Sequence, residues 1–376
     1  MAVPCSMCSI LGFKLTQEQM ANWSVGTLLV SDEPALPAEC NPPPRRNGSR
    51  EASGGMRFWC CLALACPALI AAVPSAELCR QCHAPEYEAH VRSAHFTAMK
   101  PARQSSFAQG LNGLTLRESA DGYEFLYKLT AEGIAITAIR GTRRGEGLIE
   151  WVIGAGLQGQ TPLVRTPQGL RESRVSYYPK LERYGVTFGH PAGVSSSPEA
   201  ALGIAETKGE AQQCIGCHSS GVTEDLEPAV PGVQCWRCHD GALEHANGGD
   251  KLPFNPGKLS ADGQVLFCAE CHRLKAPRAN DPGNVRFQPM RLIQSRCYKN
   301  SKALACTTCH VAHHDARHND LDFYNGKCRG CHAAATIHAD ARGQGNCIGC
   351  HMPSVQLHPA LRFTDHYIRI ARSKSP

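Results

Sequence analysis

The run Cys-x-x-Cys-His occurs seven times in this 376-residue chain: at Cys79, Cys82 and His83; Cys214, Cys217 and His218; Cys235, Cys238 and His239; Cys268, Cys271 and His272; Cys306, Cys309 and His310; Cys328, Cys331 and His332; and Cys347, Cys350 and His351. They are numbered motifs 1 to 7 in that order. With 21 Cys and 17 His in the chain, random order would give about 0.05 such runs. Paired thiolate zinc sites do not require a histidine directly after the second cysteine. A disulfide framework has no use for a fixed three-residue spacing. One chemistry uses all three residues: thioether bonds from both cysteines to a c-type haem, with the histidine as an axial ligand of its iron.

Seven covalently bound haems of this kind dictate an unusual interior. The segment from Met56 to Glu77, MRFWCCLALACPALIAAVPSAE, reads as a secretory signal peptide: a start methionine, an arginine, an apolar run and small residues before the cleavage point. The run is shorter than the roughly 20 apolar residues of a membrane span. Residues 1–55 read as an upstream start or a disordered extension, 56–76 as the signal, and Cys66 as a lesser lipoprotein anchor. Export to the periplasm or cell exterior follows, with no transmembrane segment after cleavage. The mature part, from 77 onward, then holds roughly 43 residues per haem. Porphyrins become most of the apolar interior, in keeping with an aromatic content of 6%. The expected fold is mostly irregular, with short helices around packed haems.

The motifs are unevenly spread. Motif 1 lies in a first haem segment, 77–100; six motifs crowd into 191–376 at start-to-start spacings of 21, 33, 38, 22 and 19. Between them, GYEFLYKLTAEGIAITAIRG (122–141) shows two β-prone runs about Ala131, Glu132 and Gly133, and EWVIGAGLQGQTPLVR (150–165) adds two more strands about a glycine bend. Residues 101–190 are therefore expected to form a small β-rich module. Gly154, Gly156 and Gly159 read as a tight turn, because no helix or lysine follows as a phosphate loop requires. The stretch after His83 is expected to be one helix carrying His90 and His95. Basic residues are interspersed with acids, so the formal charge of +6 points to no nucleic-acid partner.

Ten histidines lie outside the motifs, against seven possible second axial positions. His358 and His366 follow motif 7 and are available to cap irons from the far side. Several stretches also carry a family likeness: SAH (93–95) after motif 1, VRFQPMRLIQSRCY (285–298) ahead of CTTCHVAH, CHMP (350–353), FTDH (363–366) and the VIGAG turn. The chain resembles exported multihaem cytochromes c related to the tetrahaem cytochromes that serve hydroxylamine oxidoreductase. That resemblance implies distal ligands at His95, His245, His313 and His366, with His338, His358 and His190 as further candidates and His314 and His318 as alternates to His313. Related chains often carry an aromatic residue at the position of His90, which leaves it out.

The expected function is that of an electron carrier in which every iron has two histidines, working between quinol-linked or periplasmic donors and acceptors. The alternatives are a reductase or oxidase of small nitrogen or sulfur compounds with one open haem, and a structural subunit of a cytochrome wire. The lack of a Cys-x-x-Cys-Lys variant and the surplus of histidines favour the carrier. Cys297 is the one unpaired thiol of the mature part, readable as a small buried apolar residue.

Overall fold

In a computed structural model the described residues are 28–30, 74–111, 113–118, 122–191, 193, 195–274, 282–332 and 346–369. The expected signal peptide up to Val73, Cys66, nearly all of residues 1–55, and His338 lie outside them. Strands β1 (Leu28–Val30), β2 (Met99–Pro101), β3 (Thr115–Glu118), β4 (Glu124–Leu129), β5 (Ile134–Arg140), β6 (Arg143–Ile153), β7 (Thr161–Thr166), β8 (Gly169–Ser173) and β11 (Gly203–Ala205) form one nine-stranded antiparallel sheet. Its order is β1-β3-β4-β5-β6-β7-β8-β11, with β2 also on β6. Two further hairpins pair β9 (Val175–Tyr178) with β10 (Arg183–Val186), and β12 (Ser354–His358) with β13 (Leu361–Thr364).

The β content exceeds the small module read from the sequence, and that expectation is corrected. The sheet reaches outside 101–190 through β1, β2 and β11, each three residues long and too short for a period-two pattern to show. The longer strands do alternate. Phe125 and Tyr127 on β4, and Ile134, Ile136 and Ala138 on β5, are buried in one cluster with Phe107, Leu111 and Leu116. At Gly154, φ is +109° and an added Cβ would sit 2.2 Å from the Gly159 carbonyl oxygen, so only glycine closes this turn.

The helices are short. Residues 84–90 form one, but it ends at His90 and does not reach His95. Past it, the Ser93 hydroxyl accepts from the Phe96 amide, and the Thr97 hydroxyl donates to the Ser93 carbonyl, so the backbone turns. Each thiol pair occupies about one helical turn: within Lys208–His218, Cys235–Cys238, Ala261–His272, Cys306–Cys309 and Cys347–His351, and at the ends of Glu77–Arg80 and Leu321–Arg329. Local caps set several starts. Thr207 and Glu210 make a reciprocal capping box, and the Ser260, Asp320 and Asn346 side chains each accept an amide hydrogen bond from the first turn.

Among the described residues, no apolar core cluster includes any residue from 227 to 359, the stretch holding motifs 3 to 7. Instead Leu252 is 73% exposed and Leu266 58%. The apolar clusters gather about the sheet and its hairpins, while the motif-rich half buries scattered apolar side chains such as Val265, Val285, Phe287 and Met290. No helix among the described residues is long and apolar enough to cross a membrane.

Candidate haem-binding sites

The test of whether this chain fits haem lies in its imidazoles. Nδ1 donates to a backbone carbonyl in His218 (Ala98, 3.3 Å), His239 (Phe254, 3.0 Å), His351 (Arg369, 2.6 Å) and His366 (Thr364, 3.0 Å). A proton held on Nδ1 leaves the Nε2 lone pair for a metal, and fixes the ring's orientation. Burial, followed in most cases by repulsion from a neighbouring imidazole, lowers the basicity of His95, His272, His310 and His313, and brings His218 and His366 down to about 4. Neutral imidazole is the ligating form.

Three pairs of rings carry the geometry further. A bound imidazole nitrogen sits about 2 Å from its metal and about 1.2 Å from its own ring centre, so rings on opposite sides of one iron have centres about 6.3 Å apart. The centres of His95 and His272 lie 6.0 Å apart, of His239 and His313 6.1 Å, and of His310 and His366 6.1 Å. Each pair joins a histidine of motif 4, 3 or 5 to one outside every motif. The donor set fits haem.

The other candidates are placed differently. Nδ1 of His245 is buried with no hydrogen-bond partner among the described residues, which leaves it a free nitrogen. His190, 1% exposed, holds Nε2 3.2 Å from the Glu172 carboxylate. His358 accepts the Ala360 amide at Nδ1 (3.2 Å), which puts its proton on Nε2, and its ring packs on Tyr178 and Phe188. His314 and His318 are exposed. His90 donates from Nε2 to the Val233 carbonyl (2.8 Å) with Nδ1 facing the Ser93 hydroxyl, so both nitrogens are engaged; its ring edge supports His313. His83 and His332 of motifs 1 and 6 are exposed. Thirteen of the fourteen motif cysteines carry thiols. Cys297 is a half-buried thiol that burial makes less acidic.

Sequence reading missed what positions His366. Arg291 grips the Asp365 carboxylate with two bonds of 2.8 Å, and Arg369 adds a third of 2.7 Å. Asp365 is 3% exposed. Burial works against its charge, but bonds from Arg291, the Tyr367 amide and Arg369 outweigh it and hold its pKa at about 2. A carboxyl whose pKa is depressed on folding adds stability above its unfolded value near 3.8. That contribution, of order 2 kcal/mol, is lost as pH falls through the folded value. Denaturant unfolding between pH 6 and pH 2 should therefore show an acid-labile component that Asp365→Asn lacks. Equal pH profiles for the two proteins would refute the clamp.

The sheet meets the motifs at motif 2. A small cleft of about 60 Å³ has Ile153, Thr161 and Glu172 on its sheet side, and Cys217 and His218 on the other. Residues 207–281, which begin at the cap of the motif 2 helix and contain motifs 2, 3 and 4, match the family model for cytochrome c3. This supports a multihaem cytochrome c family with covalently bound c-type haem. A solved structure titled "Crystal Structure of Outer Cell Wall Cytochrome OcwA" aligns over 78% of this chain and 78% of that one, with a TM-score of 0.45 and 13% identity. Comparison with curated protein sequences finds no match.

Proposed function

We infer that the chain, a multihaem c-type electron-transfer protein with a cytochrome c3 segment at 207–281, binds seven haems and passes electrons between exported redox partners. The observation that carries this reading is the recurrence of one ring-to-ring distance, 6.0–6.1 Å, at three places where a motif histidine faces a histidine from elsewhere. Two strong imidazole ligands on an iron leave no position for a substrate, as a carrier requires.

Bound haem supplies one-electron chemistry at its iron. The chain's own residues do the rest. The motif cysteines hold the cofactor through thioether bonds. His83, His218, His239, His272, His310, His332 and His351 take the proximal positions. His95, His313 and His366 serve as distal ligands to motifs 4, 3 and 5. The backbone carbonyls on Nδ1 of His218, His239, His351 and His366 lock the ligating tautomer. His245, with its free buried nitrogen, is next in suitability. The donors and acceptors are other redox proteins outside the cytoplasm.

Intact mass of the protein from its native secretory host should exceed the polypeptide mass by seven haems. Four or fewer, or zinc in their place, would overturn the count. The oxidised protein should be wholly low-spin and, when reduced, should not bind carbon monoxide. A native high-spin haem together with turnover of nitrite, hydroxylamine or tetrathionate would replace the carrier with the reductase.

A further inference from the structure

We propose that His90, a buried imidazole that takes no iron, is a positioning residue for the motif 3 iron: its ring sets the plane of the His313 ring against that of His239. This rests on the ligation inferred above for motif 3 and deepens it, because it says what orients a distal ligand that lies outside any helix or strand.

His90 is itself held on several sides. It closes the helix Ala84–His90 and is 7% exposed. Its Nε2 donates to the Val233 carbonyl at 2.8 Å, and its Nδ1 faces the Ser93 hydroxyl at 3.4 Å. A carbonyl can only accept, so the proton sits on Nε2 and the ring is fixed in tautomer and rotation. The Val233 amide donates in turn to the His95 carbonyl at 2.9 Å. At Gly232, where φ is +75°, an added Cβ would run into the Phe96 carbonyl oxygen. Residues 93–96 and 232–233 thus lie backbone against backbone. The His90 ring is anchored across them, with the Phe96 ring edge-on to it at 5.8 Å.

His313 has no such framework. It sits in a turn that follows motif 5. Its backbone is tied to the loop beside His90, since the Asp315 carboxylate accepts the Ala94 amide at 2.6 Å. Its ring meets two others, His239 at 6.1 Å with 28° between the planes and His90 at 6.0 Å with 82°. The contact with His239 runs through the inferred iron, and a metal–nitrogen bond leaves the ring free to turn about it. The edge-to-face contact with His90 does not, because turning either ring breaks it. His239 needs no help of this kind, its Nδ1 being held by the Phe254 carbonyl.

The orientation has a spectroscopic consequence. Axial imidazoles in near-parallel planes give oxidised low-spin iron a rhombic resonance, whereas crossed planes make it strongly anisotropic and raise its largest g value. His239 and His313, at 28°, belong to the first class, and His95 and His272, at 77°, to the second. Without the His90 ring, His313 turns and the motif 3 signal moves toward the second class.

The test is electron paramagnetic resonance of the oxidised holoprotein. The rhombic signal lost in His313→Ala belongs to motif 3. In His90→Ala that signal should shift to a larger g value. The same protein should keep its full haem mass, stay closed to carbon monoxide when reduced, and leave unmoved the motif 5 signal, which is the one lost in His366→Ala. His90→Gln keeps a donor for Val233 but no ring; it should shift the motif 3 signal likewise, and it decides the matter if His90→Ala does not fold. His90→Phe keeps a ring without the donor and should hold the parent signal. An unshifted motif 3 signal in either ring-less variant overturns the proposal, and so does an equal shift in His90→Phe. If His313→Ala removes no low-spin signal at all, the ligation of motif 3 fails, and the proposal with it.

Discussion

Replacing His366 by alanine should give a protein with one high-spin haem and one carbon monoxide site, both lacking in the parent, and His313→Ala should do the same at motif 3. The reasoning is geometric. His366 lies 6.1 Å, centre to centre, from His310, and its Nδ1 is held by the Thr364 carbonyl with Asp365 clamped beside it. Alanine leaves nothing in that short segment able to reach the iron. At motif 3, His90 stands near His313, but its Nε2 is committed to the Val233 carbonyl, so it does not substitute. The check is electron paramagnetic resonance of the oxidised variants and carbon monoxide titration of the reduced ones, with haem content by mass as the control. A wholly low-spin His366→Ala protein would show that motif 5 takes its second ligand elsewhere.

Arg174→Met should cost roughly 3–5 kcal/mol of stability, because it strands a buried carboxylate. Arg174, between β8 and β9, grips Glu118 at the end of β3 through two bonds of 2.6 Å, and the two side chains are 5% and 3% exposed. Arg174 also donates to the Pro191 and Gly193 carbonyls. Adding Glu118→Leu should recover much of the loss, since removing both charges spares the uncompensated one. Denaturant unfolding of both variants reads this directly, and a single variant within about 0.5 kcal/mol of the parent would refute it.

What the sequence could disclose depended on the length scale of each signal. Thiol–thiol–imidazole runs are local, and so were readable at once. The alternation of Phe125 and Tyr127, then Ile134, Ile136 and Ala138, marked β4 and β5 for the same reason. The three-residue strands β2 and β11 owe their existence to neighbours, being held by β6 and β8, and carried no pattern. The expected helix through His95 stopped early because Ser93 offered the backbone a competing turn. Pairing of histidines was least legible. His95 meets His272 only after the whole sheet has intervened, and no spacing encodes that. His190 and His358 looked like any other spare histidine until Glu172 and the Ala360 amide were seen to engage them.

The histidine pairs also change what a break in the chain would mean. On the ligation inferred above, His95 bonded through iron to His272 closes one ring of polypeptide, and His239 bonded to His313 closes a second that overlaps it. The loop around Leu252, the most exposed large apolar residue among the described ones, lies inside both rings. A protease cutting there would open each ring without separating the pieces, which stay tied across two irons as well as by their packing. Continuity of the electron path thus resides in the cross-links and survives a nick in the covalent backbone at that loop.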